Sequence, residues 1–254
     1  MHSLFITKKT LAILIASTSL ITNNSLAGTM GVDTKSPLVW VSSLSVGPAW
    51  QHAGKTQTFY LTPEIEKRYV ANRAKNVLFD GELFLGLQKE LTPTLKSQLG
   101  LAIGFTSNAK LYGVIWDDAA PEFDNYTYHY KVQNTHLVLK GKLLADINYW
   151  LIPWVSGSLG VSFNDAHGFQ NTPTIFEALP NPNFSSHTLT TWTYKLGVGA
   201  QKTLNVHWQL GAGYEFADLG KSRLGRASGQ TLNSGLSLNH LYTHGVLFNL
   251  TYIA

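Results

Sequence analysis

The chain has 254 residues, of which 44% are hydrophobic and only 13% are charged. A soluble domain typically carries about 25% charged residues, so this composition argues against an ordinary cytosolic enzyme. The absence of cysteine excludes disulfides, thiolate nucleophiles and cysteine zinc sites, and the net charge of +4, half of which comes from Lys8 and Lys9, is too small for a nucleic-acid-binding surface.

The first 27 residues have the pattern of a cleaved secretory signal peptide. Lys8 and Lys9 precede a short apolar run that begins at Leu11, and Ser25-Leu-Ala27 places small residues where a signal peptidase reads them. The apolar run has about a dozen residues, fewer than the roughly 20 that a spanning helix needs. We therefore predict cleavage after Ala27 and an exported domain that comprises residues 28–254.

Beyond residue 27 the hydrophobic residues recur at every second position, which is the period of a β-strand. From Val77 to Leu87 the odd positions are apolar or glycine, whereas the even positions include Asp80 and Glu82. Since residues i and i+2 share one face of a strand, such a run has one apolar and one polar face. The same alternation, clearer in some runs than in others, predicts eight strands, at 38–50, 77–87, 98–105, 136–143, 149–163, 192–199, 206–216 and 240–253.

The lengths of these runs and of the connections between them indicate a transmembrane barrel. Most runs have about ten residues, which exceeds the usual five or six of a soluble sandwich and matches the 9–11 of a membrane-spanning strand. Short and long connections alternate along the chain: the short ones are 90–95, 144–148 and 202–205, and the long ones are 51–76, 107–133, 164–188 and 217–239. Three short periplasmic turns and four long outer loops predict an all-β, eight-stranded, antiparallel up-and-down transmembrane β-barrel in the bacterial outer membrane.

One part of the pattern changes phase. Tyr126 and Tyr128 occupy even positions, whereas the apolar Leu137 and Leu139 occupy odd ones. This change predicts a β-bulge near residues 133–134, or a strand that leaves the membrane toward the outside.

The polar faces of the strands are predicted to fill the interior, because an eight-stranded barrel is just wide enough for side chains. With a hairpin centred on Leu204, Lys195 would face Gly213, and Glu215 would be its diagonal neighbour, within reach of an ion pair. On the outer face, aromatic girdles and a mid-membrane apolar band are predicted. The girdle residues are Trp40, Trp192 and Tyr252, and those of the band are Leu83, Leu101 and Leu210. The inward charged residues are Asp80, Glu82, Lys140, Lys142, Lys195 and Glu215.

Three segments, in this order, resemble the opacity-type family of small outer-membrane β-barrel proteins. Residues 151–160 (LIPWVSGSLG) are similar to the family's Pro-aromatic-x-x-Gly-x-x-Gly strand. Residues 196–202 and 211–220 resemble its penultimate hairpin, with an aromatic-x-aromatic-x-Asp-x-Gly exit, and residues 241–252 resemble its last strand. The resemblance implies an eight-stranded barrel at the outer membrane and implies no single activity.

The prediction for function is a structural or surface-interaction barrel that acts through its long outer loops. We expect no enzyme activity, because the adjacent Ser186 and His187 would point to opposite faces of a strand and no Gly-x-Ser-x-Gly elbow occurs. The alternative is a narrow porin-like channel or a carrier of small hydrophobic solutes, since inward residues such as Gly104, Ser156 and Gly199 leave room in the lumen. The expected partners are outer-membrane lipid, lipopolysaccharide and host or other cell-surface molecules, with no nucleic acid and no cofactor.

Three cations follow the seventh predicted strand, namely Lys221, Arg223 and Arg226. Because guanidinium groups form bidentate hydrogen bonds with phosphate, these residues are predicted to contact lipopolysaccharide phosphates just above the membrane. The alternative is a solvated basic loop.

No metal site is predicted. His240 and His244 share a face but lie about 13 Å apart along a strand, too far for one zinc ion. The acidic residues between 117 and 124 lack EF-hand spacing and are interpreted as a solvated loop.

Overall fold

A computed structural model describes residues 37–73, 76–176, 178 and 181–254 of the chain. The predicted signal peptide lies outside these residues. Within them, a single turn of 3-10 helix spans Pro121–Phe123, and no helix is long and apolar enough to cross a membrane. The strands in this part of the chain are β1 (Val39–His52), β2 (Gln57–Thr62), β3 (Ile65–Ala71), β4 (Val77–Thr92), β5 (Leu95–Asp117), β6 (Asp124–Ala145), β7 (Ile152–Pro173), β8 (His187–Thr203), β9 (Trp208–Asp218), β10 (Ser222–Arg223), β11 (Ser237–Leu238) and β12 (Tyr242–Ile253).

Eight of these strands form a closed antiparallel ring in the order β1, β4, β5, β6, β7, β8, β9 and β12. Pairing of β1 with β12, for example Val41 with Ile253, closes the ring, so that every strand in it has two neighbours. The predicted all-β, eight-stranded up-and-down barrel is therefore confirmed. The hairpin of β2 and β3 is an insertion, and its second strand pairs with the last residues of β5, from Gly113 to Asp117.

All eight predicted runs are strands of the ring, and the three short connections are turns at one end of it. We call this the turn end and the opposite one the loop end. Pairing of Thr92 with Leu95 closes the first turn, and the other two span residues 146–151 and 204–207. The chain enters β1 and leaves β12 at the turn end, because Val41 pairs with Ile253.

The interpretation of the four long connections as irregular loops is wrong for much of their length. Residues 51–76 contain the β2–β3 hairpin, while β5, β6 and β7 continue far beyond their predicted ends. The reason is that the apolar outer face is lost toward the loop end, so the alternation used to recognise strands disappears although the hydrogen-bonded ladders continue. The barrel is therefore considerably taller at this end than the sequence pattern indicates.

The side chains of β6 keep one phase throughout, which corrects the predicted irregularity near residues 133–134. Tyr126 and Asn134 are both buried in the interior, and Leu137 faces outward. What changes along β6 is the character of its inward side chains, which are polar toward the turn end and aromatic toward the loop end. The bulge lies on the neighbouring strand, where the pairing shifts between Thr106 and Ala109 of β5. The second predicted alternative fits β6, because this strand continues toward the loop end beyond its exposed apolar residues Leu137 and Leu139.

A belt of exposed, large apolar side chains surrounds the ring. Its middle includes Leu83, Leu101 and Leu210, each more than half exposed. At the turn end the ring of Tyr252 lies 5.1 Å from that of Trp208 and 5.6 Å from that of His207. Toward the loop end lie further exposed or partly exposed rings of Trp50, Trp192, Tyr194, Tyr214, Phe216, Tyr242 and His244. Trp40, also exposed, is at the turn end, so the belt has an aromatic border on both sides.

Candidate functional site

The most heavily charged part of the interior is a group of five residues, Asp80, Glu82, Lys140, Lys195 and Glu215, which we call the ion cluster. The Nζ atom of Lys195 lies 2.7 Å from Glu215 Oε1, 3.1 Å from Glu82 Oε2 and 3.8 Å from Asp80 Oδ2. Lys140 Nζ donates to Glu82 and lies 3.5 Å from Glu215 Oε2. The Lys195 residue is only 1% exposed. The structure thus brings together five of the six charged residues that the sequence places in the interior.

The ion cluster crosses the lumen. Glu82 is on β4 and Lys195 is on β8, which are separated by β1, β12 and β9 and so lie on opposite walls of the eight-stranded ring. Their side chains nevertheless meet at 3.1 Å. The ion cluster therefore spans the lumen from one wall to the other.

The hairpin between β8 and β9 has a different register from the predicted one. Lys195 faces Ala217 and not Gly213, which moves the centre of the hairpin from Leu204 to residue 206. Glu215 is still a diagonal neighbour of Lys195, because a residue has diagonal neighbours on both sides of its direct partner. The predicted register is therefore wrong, although the two charged groups are in contact.

Lys142 does not join the ion cluster. Its Nζ atom donates a hydrogen bond of 2.6 Å to Gln201 Oε1 and lies 4.5 Å from the centre of the Trp154 ring. Trp154 is 8% exposed and extends into the lumen on the turn-end side of the cluster. Trp154 was not among the predicted interior residues, although its parity relative to the outward Val155 indicates an inward side chain.

Large rings occupy the space beside the inward glycines. A Cβ atom at Gly213 would lie 2.5 Å from Trp154 Cη2, and one at Gly199 would lie 2.5 Å from Trp154 Cζ2. In the same way, a Cβ atom at Gly104 would overlap the ring of His136. The cavity that remains between Trp154 and the ion cluster is about 30 Å³, the volume of about one water molecule. These three glycines therefore accommodate side-chain rings, and little space remains beside Trp154.

Gly213→Val is expected to destabilise the barrel by about 1–3 kcal/mol, because the added side chain overlaps the Trp154 ring in a packed interior. Addition of Trp154→Ala should recover part of this loss. The free energy of unfolding in detergent micelles measures both effects. Gly157→Val is the matched control, since Gly157 faces outward with no atom closer than 3.8 Å to its Cβ position. Equal losses for Gly213→Val and Gly157→Val would contradict the packing described here.

Above the ion cluster, the interior becomes an aromatic chamber. The rings of Tyr69 and Tyr128 lie 5.8 Å apart, and those of Phe169 and Phe184 lie 4.8 Å apart. Burial raises the pKa of the Tyr69 phenol above its ordinary value, so this residue stays neutral. The chamber is a second core that lies above the apolar belt.

The connection between β9 and β12, residues 219–241, closes the loop end of this chamber, and we call it the plug segment. It includes the two short strands β10 and β11, which pair with each other. Leu224 and Leu236 are almost completely buried, and the backbone N–H of Thr231 donates to the carbonyl oxygen of Leu61 at 3.0 Å. Asn164 Nδ2 donates to the carbonyl oxygen of Leu219 at 2.7 Å. These bonds attach the plug segment to the β2–β3 hairpin and to β7.

The structure separates the three cations at the start of the plug segment. Lys221 is beside Thr191, whose Oγ1 lies 3.5 Å from its backbone nitrogen. Arg223 Nη2 lies 3.3 Å from Nε2 of His187, which is four residues, or about 13 Å, closer to the loop end of β8. Arg223 and Arg226 line one surface cleft of about 450 Å³, in which Lys221 has no part. The other described residues of that cleft are Leu224, Gly225, Asn233 and Ser234, none of which carries a carboxylate.

His240 and Asp117, two of the polar residues considered in the sequence analysis, have protein partners in the part of the chain that the structure describes. His240 Nδ1 lies 2.8 Å from Asp218 Oδ2, and the His240 ring stacks on that of Tyr242 at 5.2 Å. Asp117 accepts hydrogen bonds from Lys67 and Asn125 at 2.6 and 2.8 Å. Among the described residues, no group of three or more His, Cys, Asp or Glu side chains is arranged to hold a metal ion.

No protein-family model and no curated protein sequence matches the chain. Among solved structures, it is similar to Neisserial surface protein A, with 10% identity and a TM-score of 0.44 over 84% of this chain and 96% of that one. It is also similar to the outer membrane protease OmpT from Escherichia coli (9% identity, TM-score 0.47, 85% and 97% covered) and to the outer membrane protein OprG from Pseudomonas aeruginosa (12%, 0.43, 83% and 95%).

Proposed function

We propose that the chain is a bacterial outer-membrane barrel that does not conduct and that acts as a structural or surface-interaction protein through its loop end. The apolar belt with aromatic borders on both sides supports a position in a lipid bilayer. The resemblance to opacity-type proteins supports the same assignment. In this orientation the three short turns face the periplasm and the plug segment faces the outside of the cell.

The observation that carries this proposal is the contact between Lys195 and Glu82 across the lumen. Trp154 fills the barrel on one side of this contact, and the aromatic chamber under the plug segment fills it on the other. A barrel with a filled lumen offers its outer loops as the surface for interaction with other molecules.

The second candidate function is a narrow porin-like channel or a carrier of small hydrophobic solutes. Its support in the sequence was the number of inward small residues, such as Gly104 and Gly199. Rings occupy the space beside both glycines, and the cavity at the level of Trp154 is only about 30 Å³. This geometry favours the sealed barrel over the channel.

Conductance through planar lipid bilayers tests the choice directly. The purified, refolded barrel is expected to give no unitary current steps under conditions in which a reference porin conducts. In liposomes, it should not increase the uptake of a small hydrophobic dye above that of empty vesicles. Reproducible current steps would establish the channel instead, and dye uptake would establish the carrier.

We also propose that Arg223 and Arg226 contact lipopolysaccharide phosphates, because two guanidinium groups share a cleft without a carboxylate. The double variant Arg223→Gln/Arg226→Gln should lower Tm by about 2–4 °C in lipopolysaccharide-containing bilayers, as expected for about 1 kcal/mol in a domain of this size. No change is expected in zwitterionic bilayers. Lys221→Gln, tested separately, shows whether the third cation takes part.

The charge-matched control for this experiment is Lys89→Gln/Lys202→Gln, which removes two exposed lysines at the turn end. The change in Tm that this control variant causes should be the same in bilayers with and without lipopolysaccharide. The same loss of stability in both kinds of bilayer, or no loss in either, would rule out phosphate contacts at the cleft.

A further inference from the structure

The outer wall of the barrel carries a row of basic side chains on β5, β6 and β7, on the loop-end side of the apolar belt. Lys110 of β5 pairs directly with Lys131 of β6, and Lys131 pairs on its other side with His167 of β7. The alternate residues of these strands, such as Tyr130 and Ala166, are buried in the interior, so the three basic side chains point outward. We call these three residues the basic row.

The two lysines of the basic row face each other without an ion pair. Neither side chain has an ion-pair or hydrogen-bond partner in the part of the chain that the structure describes. Asp165 of β7 is diagonal to Lys131, but its carboxylate lies 3.2 Å from His167 Nδ1 and accepts a hydrogen bond of 3.1 Å from Thr188. Like charges directly opposite each other in an antiparallel pair are destabilising. An anion bound between the two ammonium groups would replace this repulsion by two favourable contacts.

The height of the basic row on the barrel selects the kind of anion. The nearest row of outward apolar side chains, Phe105 and Phe163 on either side of Thr135, lies four ladder positions closer to the turn end. This separation is about 13 Å along the strands and, at a strand tilt of about 40°, about 10 Å in height. The polar layer of a phospholipid leaflet is only about 5–8 Å thick, so its phosphates lie below the row. A lipid with phosphates on a larger saccharide headgroup reaches it.

The next outward row toward the loop end presents groups that suit a saccharide. Tyr112 of β5 is 42% exposed and pairs directly with His129 of β6, which is also exposed. A phenol ring offers an apolar face for the ring of a sugar, and the phenol and imidazole groups can form hydrogen bonds with its hydroxyls. Two cations and two such rings therefore lie side by side on the same two strands.

We propose that the outer wall of β5 and β6 binds the phosphorylated saccharide headgroup of lipopolysaccharide. Lys110 and Lys131 hold one phosphate between them, and Tyr112 and His129 lie beside the adjoining sugar. This site shares no residue with the cleft of the plug segment, and it rests on the proposed position of the chain in the outer membrane. That position is tested independently by an arginine substitution within the apolar belt.

The thermal stability of Lys131→Gln in two kinds of bilayer tests the proposal, because the expected effect changes sign. In zwitterionic bilayers, removal of one of two facing like charges should raise Tm by about 1–2 °C. With lipopolysaccharide in the leaflet at the loop end, the same variant should lower Tm by about 2–4 °C, because the phosphate loses one of its two cations. Lys131→Arg, which keeps the charge, should retain most of the stabilisation by lipopolysaccharide.

Two controls separate this site from general attraction to negative lipid. Lys202→Gln removes an exposed lysine at the turn end and should change Tm equally with and without lipopolysaccharide. Phosphatidylglycerol, used in place of lipopolysaccharide, should not reproduce the loss of stability in Lys131→Gln. Equal losses with the two anionic lipids would overturn the assignment to a saccharide headgroup. If Lys131→Gln has the same effect in zwitterionic and lipopolysaccharide-containing bilayers, the wall of β5 and β6 does not bind the headgroup.

Discussion

Lys195→Met is expected to destabilise the folded barrel by about 3–5 kcal/mol, the cost of removing one partner from a buried ion network. Lys195 contacts three carboxylates, those of Asp80, Glu82 and Glu215, and is almost completely buried. Without it, Lys140 is the single cation left in the ion cluster, so three carboxylates would share one positive charge away from water. Equilibrium unfolding by guanidinium in lipid vesicles or micelles measures the loss.

A double-mutant cycle separates pairing from side-chain packing. Glu215→Gln removes the carboxylate that lies 2.7 Å from Lys195 Nζ. The double variant Lys195→Met/Glu215→Gln should lose less stability than the two single losses added together, because it leaves one fewer unpaired charge. Lys202→Met, at an exposed position of the same strand, should have almost no effect. Strict additivity in the cycle would show that the ion pair contributes nothing.

Leu210→Arg is expected to destabilise the barrel by about 2–4 kcal/mol in lipid, the cost of an arginine near the middle of the bilayer on the outer face of a β-barrel. Leu210 is 51% exposed on β9 and faces Leu250 of β12, within the apolar belt. Along β9, Leu210 lies between Trp208 of the turn-end aromatic border and Tyr214 of the loop-end border. The equilibrium between folded and unfolded protein in phospholipid vesicles measures the effect.

The cost should depend on depth in the membrane. Leu204→Arg changes a residue of similar exposure in the turn that follows β8, outside the belt, and should cost only about 0–1 kcal/mol. If Leu210→Arg were as mild as Leu204→Arg, Leu210 would not face lipid, and the assignment of the belt would be wrong.

The strands within the belt were predictable because their outer face is apolar while the interior is polar. That contrast produces the alternation between, for example, Leu83 and Glu82. Toward the loop end the contrast is lost: the interior residue Tyr128 is aromatic and its neighbour His129 faces out. The pattern there no longer distinguishes a strand from a loop, which explains why the extensions of β5, β6 and β7 were missed.

The candidate site was predictable only in part. Parity along each strand indicated that all six charged residues point inward, and within one hairpin it placed Glu215 in reach of Lys195, but it could not indicate the contacts between strands that are distant in the sequence. Lys140 and Lys142 are two residues apart on the same face, yet one contacts Glu82 and the other contacts Gln201 and Trp154. Their partners are on other strands, so the choice depends on the shear between strands, which a single sequence does not contain.

The sequence by itself determined the number of strands in the ring, their direction and the face that each presents, because these follow from local alternation and from the lengths of connections. The tertiary structure alone decided which side chains meet across the lumen and which of them occupy the space beside the small residues. Gly199, one of the small residues that suggested an open path, lies against the ring of Trp154 from another strand, and Lys195 meets Glu82 only because the closed ring places β8 opposite β4. Whether a small residue leaves a void depends on what packs against it, and that neighbour is distant in the sequence.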